Sequence, residues 1–134
     1  MTWKVGDPLV KEPKDMGYIS RADAIDQFDK HDWDTMFERD EMAQKGDFYH
    51  NAFLVFDDPQ NEQEIDFLLV RKENGLQFIV FYHRKKTVKS FFGFGTREKT
   101  VLSEQRDVPF IECKNILRAF VEVDRDYLEN REWI

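Results

Sequence analysis

Between residues 48 and 104 four apolar runs follow one another with turn-like breaks: Phe48 to Phe56, Ile65 to Lys72, Leu76 to His83 and Val88 to Phe94, with a weaker fifth at Lys99 to Ser103. Such runs, rich in Phe, Val, Ile and Leu and bounded by Gly, Pro, Asn and Asp, are strand signals. They predict an antiparallel meander of four to five strands in which sequence neighbours are also sheet neighbours. Asn74-Gly75 marks a tight hairpin turn, because both residues tolerate the positive φ that a type I′ turn demands. The segments Asp57-Asp58-Pro59, Arg84-Lys85-Lys86 and Gly95-Thr96-Arg97 are expected to carry the other turns. In the third run both alternating sets are apolar, Leu76, Phe78, Val80 and Tyr82 against Ile79 and Phe81; Leu54 and Phe56 stand against Phe53 and Val55 in the same way. Two covered sheet faces follow from that pattern.

A 3.6-residue period replaces the alternation after Pro109, where Phe110, Cys113, Ile116, Leu117, Phe120 and Val121 share one stripe. Proline suits the first turn of a helix, and this helix must lay its stripe on the sheet. Upstream, Ser20 reads as the N-cap of a helix from Arg21 to Lys30, with Asp23 in the capping-box position. Asp32 or Asp34 caps a second helix whose apolar side gathers Trp33, Met36, Phe37 and Ala43 and which ends before Gly46. Asp40 falls inside that apolar side, so the sequence demands either an earlier helix end or a partner for its carboxylate. Residues 1–19, broken by Gly6, Pro8, Pro13 and Gly17, predict an extended arm with a short edge strand around Trp3 to Val5. The fold class is α+β: one domain with an antiparallel meander, N-terminal helices and a C-terminal amphipathic helix packed on the sheet.

The chain has 134 residues, 35% of them charged and 15% aromatic, with 13 phenylalanines. That composition fits a globular protein with a Phe-rich core. No apolar stretch reaches the ~20 residues that a membrane span needs, and the N-terminus has no signal-peptide core, so a soluble cytoplasmic protein without membrane contact is expected. The formal charge is −7, which argues against nucleic acid as a partner. Much of it is concentrated in residues 20–47, where Asp23, Asp26, Asp29, Asp32, Asp34, Glu38, Asp40, Glu41 and Asp47 outnumber Arg21, Lys30, Arg39 and Lys45. This segment is the candidate surface for a basic protein partner.

Sites for other chemistry are weakly signalled. Gly93-Phe94-Gly95-Thr96 lacks the spacing of a phosphate loop and reads as a turn. His31, His50 and His83 form no zinc-type pair and Cys113 is the lone thiol, so neither a metal nor a cofactor is expected, unless His50 and His83 converge across the sheet. Cys113 lies on the apolar stripe of its helix, where free Cys behaves as a small hydrophobe. Arg84, Lys85, Lys86 and Lys89 read as a solvated hairpin tip.

From Phe48 to the end, the strand order resembles that of the small α+β immunity proteins of bacterial polymorphic toxin systems. The resemblance includes the stretch Asp107-Val108-Pro109-Phe110-Ile111-Glu112 leading to Ala119-Phe120-Val121 and the late Trp133, while Gly93 and Gly95 depart from the family's glycine pattern and match it only loosely. It implies a non-enzymatic protein that binds a cognate toxin domain and blocks its active site or substrate path. The acidic segment fits such a role, since a toxin domain that attacks nucleic acid presents a basic cleft. The residues leave two other readings open: a small-ligand-binding or enzymatic α+β domain with a pocket between sheet and N-terminal helices, and a homodimeric module that buries the second sheet face.

Overall fold

The computed structural model describes residues 1–46, 49–71, 75–89 and 95–133. It is an α+β structure with a six-stranded antiparallel sheet and four helices, in the order β1 (Thr2–Gly6), β2 (Lys14–Tyr18), α1 (Arg21–Lys30), α2 (Trp33–Gln44), β3 (Phe53–Asp58), β4 (Gln63–Arg71), β5 (Gln77–Lys89), β6 (Thr96–Pro109), α3 (Phe110–Val121) and α4 (Arg125–Glu129). The spatial strand order is β2-β1-β3-β4-β5-β6. Strands β3 to β6 are the expected meander. The expected N-terminal arm is instead a hairpin, with Pro8 and Pro13 in its connection, and β1 pairs with β3 through Trp3↔Phe56 and Val5↔Leu54. The two edge strands are β2 and β6, and all five residues of β2 are exposed.

Two further expectations are corrected. Arg84-Lys85-Lys86 is no turn: β5 runs on through it to Lys89, and Arg84 pairs with Val101 of β6. Val88 and Lys89 therefore end β5 and start no new strand, and β6 begins at Thr96. The remainder of the fourth run, residues 90–94 with Gly93 and Phe94, lies outside the described residues, as do Asn74 of the hairpin signal and Asp47 and Phe48. On either side of Asn74, β4 and β5 pair as expected up to Arg71↔Gln77, and Gly75 has a φ of +113° that suits its lack of a side chain.

The core lies on one face of the sheet. Leu54 and Phe56, Ile65, Phe67 and Leu69, and Phe78, Val80 and Tyr82 point into it from successive strands. All four helices cover this face. Phe28 of α1 packs on Phe67 and Phe78, Trp33 of α2 on Phe78, Phe110 and Phe120 of α3 on Phe78 and Tyr82, and Leu128 of α4 joins the same cluster. The sheet thus has one covered face, and the second apolar set is only half-buried.

Local signals explain the helix ends. Ser20 accepts a hydrogen bond from the Asp23 amide at 3.1 Å and Asp32 one from Thr35 at 3.1 Å, each satisfying an amide that has no partner within the helix. A buried polar row closes one end of the core. Asp58 of β3 accepts both Nη2 bonds of Arg21, at 2.9 Å each, and Gln63 bonds to Asp58 and to the Phe120 carbonyl. Arg84 donates to Glu129 of α4 at 2.8 and 2.9 Å and to Ser103 at 2.6 Å. Arg125 reaches Tyr82 and the Asn61 carbonyl, fixing α4 against the sheet.

Candidate functional site

The acidic segment becomes the outer surface of α1 and α2. On α1 the core side is Ala24 and Phe28, which leaves Asp23, Asp26 and Asp29 exposed. On α2, Trp33 and Ala43 face inward, and Asp34, Glu38 and Glu41 are exposed at helical spacing. The fate of the basic residues sharpens this charge. Arg21 is drawn inward to Asp58 and to the Val121 carbonyl, and Arg39 pairs with Asp7 at 2.8 Å. Both cations neutralise carboxylates outside the segment. Among the described residues, no basic side chain is within ion-pair reach of Asp23, Asp26, Glu38 or Glu41, whereas Asp29 binds Lys114 at 3.1 Å. Asp32 is occupied as a cap, and its two bonds from Thr35 hold its carboxyl below the usual range.

Asp40 does not belong to this surface. The helix continues past it to Gln44, the residue is only 7% exposed, and Oδ1 has no hydrogen-bond partner among the described residues. Burial raises its pKa; a bond from Gln44 opposes the rise and the Glu41 charge adds to it. Of the two outcomes expected from the sequence, the earlier helix end is not found, and the partner is Gln44, a neutral side chain one turn on.

The open face of the sheet holds a second group. Glu64 and Asp66 are two apart on β4 and therefore project to the same side, and Glu64 is paired with His83 of β5. His83 Nε2 lies 3.3 Å from Asp66 Oδ2 and 3.6 Å from Glu64 Oε2. Burial, aided by the neighbouring Glu64 charge and opposed by His83, pushes the Asp66 carboxyl up to about 7. Glu64 and His83 border a cleft of about 400 Å³ lined also by Asp57, Glu62, Arg84, Lys85 and Thr100. Alongside runs a half-buried apolar stripe that includes Phe53, Val55, Leu68, Ile79 and Phe81. Sequence reasoning missed the trio, because only the β4–β5 register brings its members together.

The histidines do not converge. His50 bonds to the Val10 and Asn51 carbonyls just before β3, while His83 is level, through Glu64, with Asp57 near the other end of that strand. His31 stands against Trp33, and burial lowers its pKa. Cys113 is buried, its thiol lies 3.9 Å from the Val108 carbonyl, and burial pushes the thiol pKa up, opposite to what a nucleophile needs. Cys113→Ser should therefore leave any partner binding unchanged and cost about 1–2 kcal/mol in urea unfolding, because a more polar hydroxyl enters an apolar seam.

Comparison with family models, with curated proteins and with solved structures gives no match. Among the described residues no helix is long and apolar enough to cross a membrane.

Proposed function

We propose that this chain is a non-enzymatic immunity-type protein that binds a basic toxin domain through the outer surfaces of α1 and α2. One observation carries the reading: Arg21 and Arg39 turn away from these helices to pair with Asp58 and Asp7, so the exposed face keeps Asp23, Asp26, Glu38 and Glu41 outside any ion pair among the described residues, with Lys30 and Lys45 the basic side chains left on it. A concentrated negative surface accelerates encounter with a positive cleft and disfavours acidic competitors. The resemblance of residues 48–134 to immunity proteins supports the same role, which would be exercised in the cytoplasm and needs no cofactor. The competing reading of a ligand pocket between the sheet and the N-terminal helices is weakened by the rings of Phe28, Trp33, Phe67 and Phe78, which fill that space. Coexpression with a toxin-like domain encoded beside its gene is the test. The account expects restored growth and a stable complex, and a toxin domain that kills despite full expression of this chain contradicts it.

A further inference from the structure

The open sheet face carries chemistry that the partner-binding reading leaves unused. We infer that Glu64, Asp66 and His83 form a site for one divalent transition-metal ion of the zinc type. Two carboxylates and an imidazole present one ligand atom each, all within 4.8 Å of one another. Zinc bonds to nitrogen and carboxylate oxygen are about 2.0–2.2 Å long, so donors arranged tetrahedrally around one ion stand about 3.4 Å apart. The separations of 3.3 and 3.6 Å from His83 Nε2 to the two carboxylates bracket that spacing.

Three further observations point the same way. All three side chains stand on strands, with Glu64 directly opposite His83, so the donors are held by the backbone ladder. Asp66 Oδ1 is buried and has no hydrogen-bond partner among the described residues, although Oδ2 faces His83. A buried oxygen in this state is costly unless something binds it. Two carboxylates side by side also carry a charge that one dication would cancel. The donor set selects among ions: imidazole suits zinc and its first-row neighbours, whereas calcium and magnesium prefer oxygen donors and higher coordination. The trio supplies three ligands, and the adjoining cleft admits water or a small ligand to complete the shell.

Isothermal titration of the untagged, chelator-treated protein with zinc chloride at about pH 7.5 tests the site, at a pH that favours deprotonated donors. One equivalent should bind. Glu64→Gln, Asp66→Asn and His83→Gln should each weaken binding by at least about tenfold, since losing even a supporting residue of a metal site costs that much. His50→Gln should bind as the wild type does, and calcium should not compete. Asp66→Asn is close to isosteric and removes like-charge repulsion, so it should fold. A readout that needs no variant is ring NMR of the wild-type protein, in which zinc should shift the His83 signals and leave those of His31 and His50 in place. No saturable binding at millimolar zinc, binding that survives Glu64→Gln and Asp66→Asn, or shifts at His31 or His50 in place of His83 would each overturn the assignment.

Discussion

Phe28→Ala should lower the free energy of unfolding by about 3–5 kcal/mol, the range for deleting a fully buried aromatic ring. Phe28 has no exposed surface, and its ring centroid lies 4.8 Å from that of Phe67, 5.3 Å from Phe110, 5.4 Å from Trp33 and 5.8 Å from Phe78. It is the point at which α1, α2, α3 and the sheet meet, so no single neighbour can collapse into the space it leaves. Urea unfolding would show the loss as a lower midpoint with little change in slope. A cost under ~1 kcal/mol would place the ring outside the core.

Asp58→Ala should cost about 2–4 kcal/mol at neutral pH. The carboxylate is 1% exposed and accepts hydrogen bonds from Arg21, Asn61 and Gln63 at 2.9–3.0 Å. Its removal leaves a guanidinium without its counter-charge; Arg21 keeps 37% of its side-chain exposure, so the cost falls toward the lower end for a broken buried pair. The pH dependence has a definite sign. Burial alone would raise the Asp58 pKa, but the bonds from Gln63, Asn61 and Arg21 outweigh it and hold the carboxyl below its ordinary value. The folded state then binds fewer protons than the unfolded one. This stabilisation is complete above the unfolded carboxylate value of about 3.9 and is lost as pH falls through the lower folded value. Wild type and variant should thus converge in stability on acidification, and unfolding midpoints taken from pH 7 downward would reveal a constant gap if the account is wrong.

The parts of the fold that were legible in the sequence are those fixed locally. Ser20 and Asp32 cap the two N-terminal helices as read, and the stripe from Phe110 to Val121 matches α3. What stayed hidden depends on distant partners. Three consecutive cations at Arg84-Lys85-Lys86 imitate a turn, yet the alternation simply continues, with Tyr82 in, His83 out and Arg84 in. Arg84 can be buried because Glu129, 45 residues away, supplies its counter-charge. The N-terminal hairpin was obscured by Pro8 and Pro13, which fall between its strands, and its place in the sheet is set by β3, some fifty residues on. Apolar residues on both sides of β3 and β5 looked like two covered faces, but Phe53, Val55, Ile79 and Phe81 remain half-buried, with no helix above them among the described residues. Of the acidic candidates, exposure was legible for Asp23, Asp26 and Glu38. The inward position of Asp40 was also legible, from its place on the apolar side of α2, whereas the inward turn of Arg21 and Arg39 was not, because it is decided by tertiary packing.

The central claim, that the acidic faces of α1 and α2 meet a basic partner, is tested most directly by association kinetics with a toxin domain that the coexpression experiment identifies as cognate. The triple variant Asp26→Lys, Glu38→Lys, Glu41→Lys alters three exposed positions that hold no ion pair among the described residues and should leave the fold intact. Exposed charges act mainly on encounter rate and are screened over a Debye length of about 8 Å at physiological ionic strength. The variant should therefore associate at least about tenfold more slowly than wild type at low salt, and the two should approach each other as salt rises. An unchanged rate with unchanged salt dependence would contradict the claim.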